Sequence, residues 1–297
     1  MRIIFFNHWH YGDLHVSRGF VSAICNHIDA EFAYAHNNEH IFGGSIKENK
    51  TLLKGLDKWE PFIKSGNDIF INTWYGAKKR AFINKETISF SCLYSLFEYT
   101  CKHALNVNLK DIHSNPREFY PSIDYKLYKT DTIDDFMEKY KDNKKVLVCN
   151  GDAQSFQAKN FDMMPAIRAV AKKHKNILWL VTNKNIKTAG NIIYTPDIIQ
   201  KTGRDLNENA YISTFCDLVV GKLSGSHTFS LIKDNLFNRK MVMLSFFKCG
   251  RKVFPNSDWI GNRFRNKIKY SSTFLESDNT DTNMVTRDIN RAIKHLK

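Results

Sequence analysis

A chain of 297 residues with 42% hydrophobic and 13% aromatic residues has enough apolar mass for a full core and the length for two domains of about 150 residues each. No apolar run reaches the roughly 20 residues that a membrane-spanning helix needs, and Met1-Arg2 leads straight into a short strand-like run with no signal-peptide h-region. The formal charge of +14 suits an anionic partner, but zinc-finger spacing, RNP-type aromatics and a helix-turn-helix signature are absent, so nucleic acid is not the expected partner.

In chain order, Arg2-Ile3-Ile4-Phe5-Phe6 reads as a strand. The polar loop of residues 7–10 follows, and then helical apolar spacing at Val16, Phe20, Val21 and Ile24. Further strands are expected at 31–35, 68–72 and 87–91, with a helix around 92–104 and an aromatic loop through 116–121. Residues 131–141 have the pattern of a capped amphipathic helix, and Lys145-Val146-Leu147-Val148-Cys149 restarts a buried strand. A second domain is therefore expected from 141 to 283, after a first domain of 1–140. Beyond it the pattern alternates: a helix at 162–174, strands at 177–181 and 191–194, a helix at 206–216 and a strand at 217–220. A helix at 226–235 and a strand at 241–244 complete the series. Such alternation means βα units with parallel strands. The last segment, 284–297, has helical spacing at Val285, Ile289, Ala292, Ile293 and Leu296 and is expected to pack back on the first domain. The six cysteines (25, 92, 101, 149, 216, 249) form no C-x-x-C pair, which points to reduced thiols in a cytoplasmic protein.

Two strand-to-helix junctions concentrate chemistry. At the first, Gly12 permits a tight approach and Asp13 sits beside a helix N-terminus, where a carboxylate can take a proton from a substrate at the sheet edge. His10 is the alternative base, and His8 is expected to line an acceptor pocket with Gly12. At the second, Gly221-Lys222-Leu223-Ser224-Gly225-Ser226-His227-Thr228 joins a buried strand to a helix. Small residues there let backbone N–H groups reach a diphosphate. Lys222 would add positive charge, and His227 and Thr228 would add donors. Neither G-x-x-x-x-G-K-[ST] nor G-x-G-x-x-G occurs, which removes the P-loop and dinucleotide readings. Asn150-Gly151-Asp152 and Tyr194 end strands of the second domain and are expected at the nucleotide or donor sugar. Arg18, one turn beyond His15, is a candidate phosphate ligand, with Lys248 and Arg251 as further ones.

The stretch MRIIFFNHWHYGDLHVSRGFVSAI resembles the start of the GT-B glycosyltransferases, in particular the lipopolysaccharide heptosyltransferase family, in which a G-D dipeptide opens the helix after the first strand. Gly12-Asp13 stand at that position. The family's D-[ST]-G-x-x-H loop is matched by Ser224, Gly225 and, one residue closer, His227, with Leu223 in place of the acidic residue. The resemblance implies an α/β protein of two facing Rossmann-like domains. It further implies inverting, metal-independent sugar transfer from a nucleotide-sugar donor to a glycan or glycoconjugate hydroxyl, with Asp13 as the base. No D-x-D pair occurs to hold a divalent ion under the diphosphate, so no cofactor is expected, and neutralisation falls to fixed charges and helix dipoles. A peripheral contact with an anionic membrane accords with the basic charge. Two rival readings are a basic DNA-associated or DNA-modifying protein and a metal hydrolase built on His8 and His10, which share a side at a strand end.

Overall fold

The computed structural model describes residues 1–38, 41–74, 76–80, 87–128, 130–154, 158–183, 190–223, 225–247, 260–261, 264 and 267–296. They belong to two compact units, Met1–Ser122 with Val253–Lys269, and Ile123–Lys252 with Tyr270–Lys297.

In the first unit the strands β1 (Arg2–Asn7), β2 (Glu31–His36), β3 (Lys47–Glu48), β4 (Phe62–Ser65) and β5 (Asp68–Asn72) form one sheet in the order β3-β2-β1-β5-β4. β1 takes the centre because Ile3, Ile4, Phe5 and Phe6 are apolar on both faces and fully buried, as a strand covered on both sides must be. β1, β2, β3 and β5 are mutually parallel, whereas β4 returns antiparallel to β5 across a Gly66-Asn67 turn in which Gly66 takes a left-handed φ of 57°. The helix α1 (Tyr11–His27) links β1 to β2. Gly19 on α1 lets the 116–119 turn cross it, since a β-carbon there would fall 2.3 Å from the Phe119 carbonyl carbon. Phe20, one residue on, stacks on Phe97 and Phe119 at 4.6 and 4.7 Å. β6 (Lys78–Arg80) and β7 (Thr87–Ser89) make a separate antiparallel ribbon, so the strand expected at 87–91 pairs outside the main sheet. α2 (Leu93–Thr100), continued by a π-helical turn over Cys101–Leu105, and α3 (Leu109–Ile112) are the unit's further helices, beside short 3-10 turns at Lys50–Leu53 and Pro116–Phe119.

The second unit begins earlier than the sequence pattern implied. The helix α4 (Asp131–Lys139) belongs to it and not to the first domain: Ile133 and Met137 are buried, and the Tyr211 hydroxyl donates to Asp134 at 2.5 Å. Six strands follow: β8 (Lys144–Cys149), β9 (Ile177–Val181), β10 (Ile192–Tyr194), β11 (Leu218–Lys222), β12 (Val242–Phe246) and β13 (Thr273–Ser277). They lie in the order β10-β9-β8-β11-β12-β13 with every neighbouring pair parallel. This is the doubly wound order in which the direction of winding reverses between β8 and β11. Its helices are α5 (Met164–Lys173), α6 (Thr195–Ile199), α7 (Leu206–Ser213), α8 (Gly225–Phe229) and α9 (Thr282–Ile293). The helix expected at 226–235 stops at Phe229, where the chain tightens into i→i−3 bonds, Ser230 N–H to the His227 carbonyl at 3.2 Å and Leu231 N–H to the Thr228 carbonyl at 3.1 Å. α9 packs on the second sheet instead of returning to the first domain: Val285, Ile289 and Ala292 share one core with Val146, Ile167, Val170 and Leu244. No helix among the described residues is long and apolar enough to cross a membrane.

Candidate functional site

In the first unit the winding reverses between β1 and β5, and an open α/β sheet binds ligands outside the carboxyl ends of the strands at such a point. The two strand ends are tied together. Asn7 donates from Nδ2 to the Thr73 hydroxyl at 2.9 Å and accepts at Oδ1 from the Trp9 N–H at 2.8 Å. The Thr73 hydroxyl also meets the Tyr34 hydroxyl at 2.5 Å, which in turn reaches the Ser17 hydroxyl at 3.1 Å on α1. This buried polar network fixes the entry into α1, whose N-cap is the exposed His10. Asp13 is then the third helical residue and is half-buried, as is Gly12. Burial pushes the Asp13 carboxyl up to about 6, while the His10 backbone N–H and the His10 ring pull it partly back. A carboxylate with its proton affinity raised toward neutrality is suited to general-base work.

The other residues expected at this edge divide. His8 is half-buried; burial, followed by the Lys58 charge, holds its ring below the usual histidine range, and its Nε2 is buried without a hydrogen-bond partner. Arg18 is buried, not displayed: its guanidinium donates to the Ile41 carbonyl at 2.6 Å and lies over the Phe42 ring at 5.1 Å. Behind it, a buried pair unforeseen in the sequence joins His36 Nε2 to Glu48 at 2.7 Å, and Glu48 also accepts from the Ile41 and Phe42 N–H groups. Among the described residues no group of three or more His, Cys, Asp or Glu is placed to hold a metal ion, so His8, His10 and Asp13 do not form a ligand set.

In the second unit the ends of β8 and β11 flank the reversal of winding. Asn150 ends β8 and bridges to β9, donating to the Asn183 carbonyl at 3.1 Å and accepting from the Asn183 N–H at 2.8 Å. Gly151 follows it, half-buried. Asp152 is exposed, yet its carboxylate is fixed by the Lys222 ammonium at 2.7 Å. Lys222 itself is only 1% exposed and also donates to the Phe161 carbonyl at 3.2 Å. The expectation of Lys222 as a displayed positive charge is therefore corrected: a fully apolar strand end drew its long stem inward, and the ammonium found a carboxylate and a carbonyl. His227 is likewise buried. Its Nε2 meets the Ser245 hydroxyl at 3.2 Å, burial lowers its pKa to about 4, and its neutral ring packs beneath β11 instead of facing a ligand.

Gly225 is exposed with a φ of 48°, and Ser226 and Thr228 are half-buried at the start of α8; Ser224 lies outside the described residues, as do Lys248 and Arg251. Tyr194 is buried in the core at the N-cap of α6, leaving its backbone at the edge. Another residue that escaped the sequence reading is Glu208, near the start of α7, which is 3% exposed, is paired through Oε1 with Lys201 at 2.6 Å, and has an Oε2 without a hydrogen-bond partner. Its signal was a charged residue at a position the helix buries, which periodicity over so short a segment does not reveal.

No family model matches the sequence, and no curated protein matches it. Among solved structures the fold is that of the GT-B glycosyltransferases. A glycosyl transferase of family 9 from Veillonella parvula aligns with a TM-score of 0.54 and 11% identity, over 99% of this chain and 96% of its own. The E. coli heptosyltransferase WaaC with ADP aligns with a TM-score of 0.53 and 10% identity, over 100% and 99%. The same enzyme with ADP-2-deoxy-2-fluoro heptose gives 0.54 and 7% over the whole of both chains. At these identities the likeness is one of fold, and it extends over both units.

Proposed function

We propose that this chain is a glycosyltransferase that moves a sugar from a nucleotide-sugar donor to a hydroxyl of a glycan or glycoconjugate acceptor, inverting the anomeric centre without a metal ion. The observation that carries the reading is Asp13: a half-buried carboxyl raised to about 6, at the carboxyl edge of the first sheet, in a fold shared with enzymes solved with ADP and an ADP-sugar analogue. In this reading the Asp13 carboxylate takes the proton of the acceptor hydroxyl as its oxygen bonds to the anomeric carbon. The bond to the diphosphate oxygen breaks with its electron pair, and a single displacement of this kind inverts the centre.

The leaving diphosphate is assigned to the backbone N–H groups of Gly225, Ser226 and His227, which as the first three residues of a helix have no intrahelical acceptor. Asp152, held by Lys222, and the Asn150-Gly151 turn are assigned to the donor's hydroxyl groups. The Tyr194 backbone is assigned to the base. A cytoplasmic site of action beside an anionic membrane surface suits the charge of +14.

A panel of nucleotide sugars screened by thermal unfolding tests the reading. A ligand at about 100 times its dissociation constant should add about 2.7 kcal/mol of stability, and the stabilising donor should be consumed when acceptor is supplied. Stabilisation by none of the donors would overturn the proposal.

A further inference from the structure

Three of the chain's five tryptophans converge at the carboxyl edge of the first sheet. Trp9 follows β1, Trp74 follows β5, and Trp59 precedes β4, whose first residue pairs with Ile71 near the end of β5. The ring centroids of Trp9 and Trp74 lie 4.5 Å apart, those of Trp59 and Trp74 5.3 Å, and those of Trp9 and Trp59 6.4 Å. Trp59 is 42% exposed, and Trp9 and Trp74 are half-buried.

A core would hide such rings, and here the fold spends polar groups on holding them at the surface. The Asn72 side chain donates to the Lys58 and Glu60 carbonyls, both at 2.9 Å, and accepts from the Trp74 N–H at 3.0 Å, clamping the Trp59 turn to the end of β5. The Asn38 amide donates to the Trp9 carbonyl at 2.9 Å. Gly76 lets the chain fold over Trp74, since a β-carbon there would fall 2.3 Å from the indole. The Lys58 ammonium lies 5.5 and 5.2 Å from the Trp9 and Trp59 rings, and Asp57 accepts from the Trp59 N–H at 2.9 Å, which fixes the turn that carries both.

Rigid indole faces clamped at the surface suit a ligand with an apolar C–H face. We propose that Trp9, Trp59 and Trp74 form the acceptor subsite and bind a pyranose ring by stacking, with Trp59 the residue that selects for a sugar presenting an unbroken C–H face. This inference rests on the glycosyltransferase reading and adds the residues that hold the acceptor near Asp13, which lies four positions after Trp9 in the same junction.

The test titrates the full-length protein with methyl β-galactoside, methyl β-glucoside and methyl α-mannoside, with glycerol as a polyol that has no ring face, and follows tryptophan emission. At least one pyranoside should shift the emission of the wild type and of Asp13→Asn alike. Glycerol should not, and Trp59→Ala should lose the response while Trp59→Phe keeps part of it. In a transfer assay Trp59→Ala should raise the acceptor KM about 10-fold, as loss of an aromatic contact implies, and leave the donor KM near its original value. Failure of every pyranoside to perturb the emission, or retention of binding by Trp59→Ala, would overturn the subsite. Pyranoside binding through Trp59 with no consumption of any nucleotide sugar would uphold the subsite and sink the glycosyltransferase reading instead.

Discussion

The two units carry sheets of related winding, yet their carboxyl edges are built in opposite ways. At the edge of the first, the chemistry lies near the surface: Asp13 is half-buried with a raised carboxyl, His10 is exposed, and three indole rings cluster at the same sheet edge. At the edge of the second, the polar side chains after β8 and β11 are mostly turned inward and satisfied. Lys222 holds Asp152 and the Phe161 carbonyl, His227 meets Ser245, and Asn150 bridges two strands. In the proposed transfer reaction the contrast becomes a division of labour in which one edge would exchange a proton during turnover. The other must hold backbone N–H groups and one exposed carboxylate in a fixed pose, which demands a rigid frame more than reactive side chains.

Substitution at the reactive edge should show the largest effect. Asp13→Asn should lower turnover by roughly 100-fold or more with donor binding retained, as expected for loss of a general base. The same change should stabilise the protein. A carboxyl whose pKa rises from 3.8 to about 6 on folding holds its proton more tightly in the native state, so its contribution to stability falls as pH rises from about 4 to 6 and stays low above that. Removing the charge should regain roughly 1–3 kcal/mol at pH 7.5, read as a raised Tm. An inactive but more stable variant separates a strained functional carboxylate from a structural cap, whose loss would lower the Tm. In the wild type, kcat/KM should climb with pH through about 6 and then level.

The frame-like edge predicts a smaller and different effect. Lys222→Met keeps the buried stem and removes the ammonium that fixes Asp152. Stability should change little, because the pair is only half buried and Asp152 can turn to water, whereas the donor KM should rise about 10-fold. A variant with unchanged donor KM would remove Asp152 from the donor site.

Much of this division was already visible in the chain, and what was hidden has physical causes. The position of Asp13 could be read because a buried strand, a glycine and a helix start leave a junction residue little choice. The second sheet could be read because alternation of buried strands with amphipathic helices has few solutions. The inward turn of Lys222 and His227 could not, since a charged residue closing an apolar strand has the same pattern whether its head group meets solvent or a carboxylate on another loop. The tryptophan cluster was hidden because Trp59 reaches the edge only through the antiparallel return of β4, a short strand whose sequence resembles a loop. The place of α9 depended on which sheet had an uncovered face for Val285, Ile289 and Ala292, which periodicity does not say.

Chelation should produce the smallest effect of all. With no D-x-D pair in the sequence, EDTA should leave the rate almost unchanged. Activity lost to EDTA and restored by manganese, magnesium or zinc would return His8, His10 and Asp13 to consideration as ligands.

A crystal structure with the nucleoside diphosphate of the stabilising donor bound tests the division of labour most directly. The account predicts the diphosphate within hydrogen-bond reach of the backbone N–H groups of Gly225 to His227, with Asp13 not contacted by it. A diphosphate seated against Gly12 and the start of α1, with the Gly225 loop empty, would contradict it and exchange the roles of the two units.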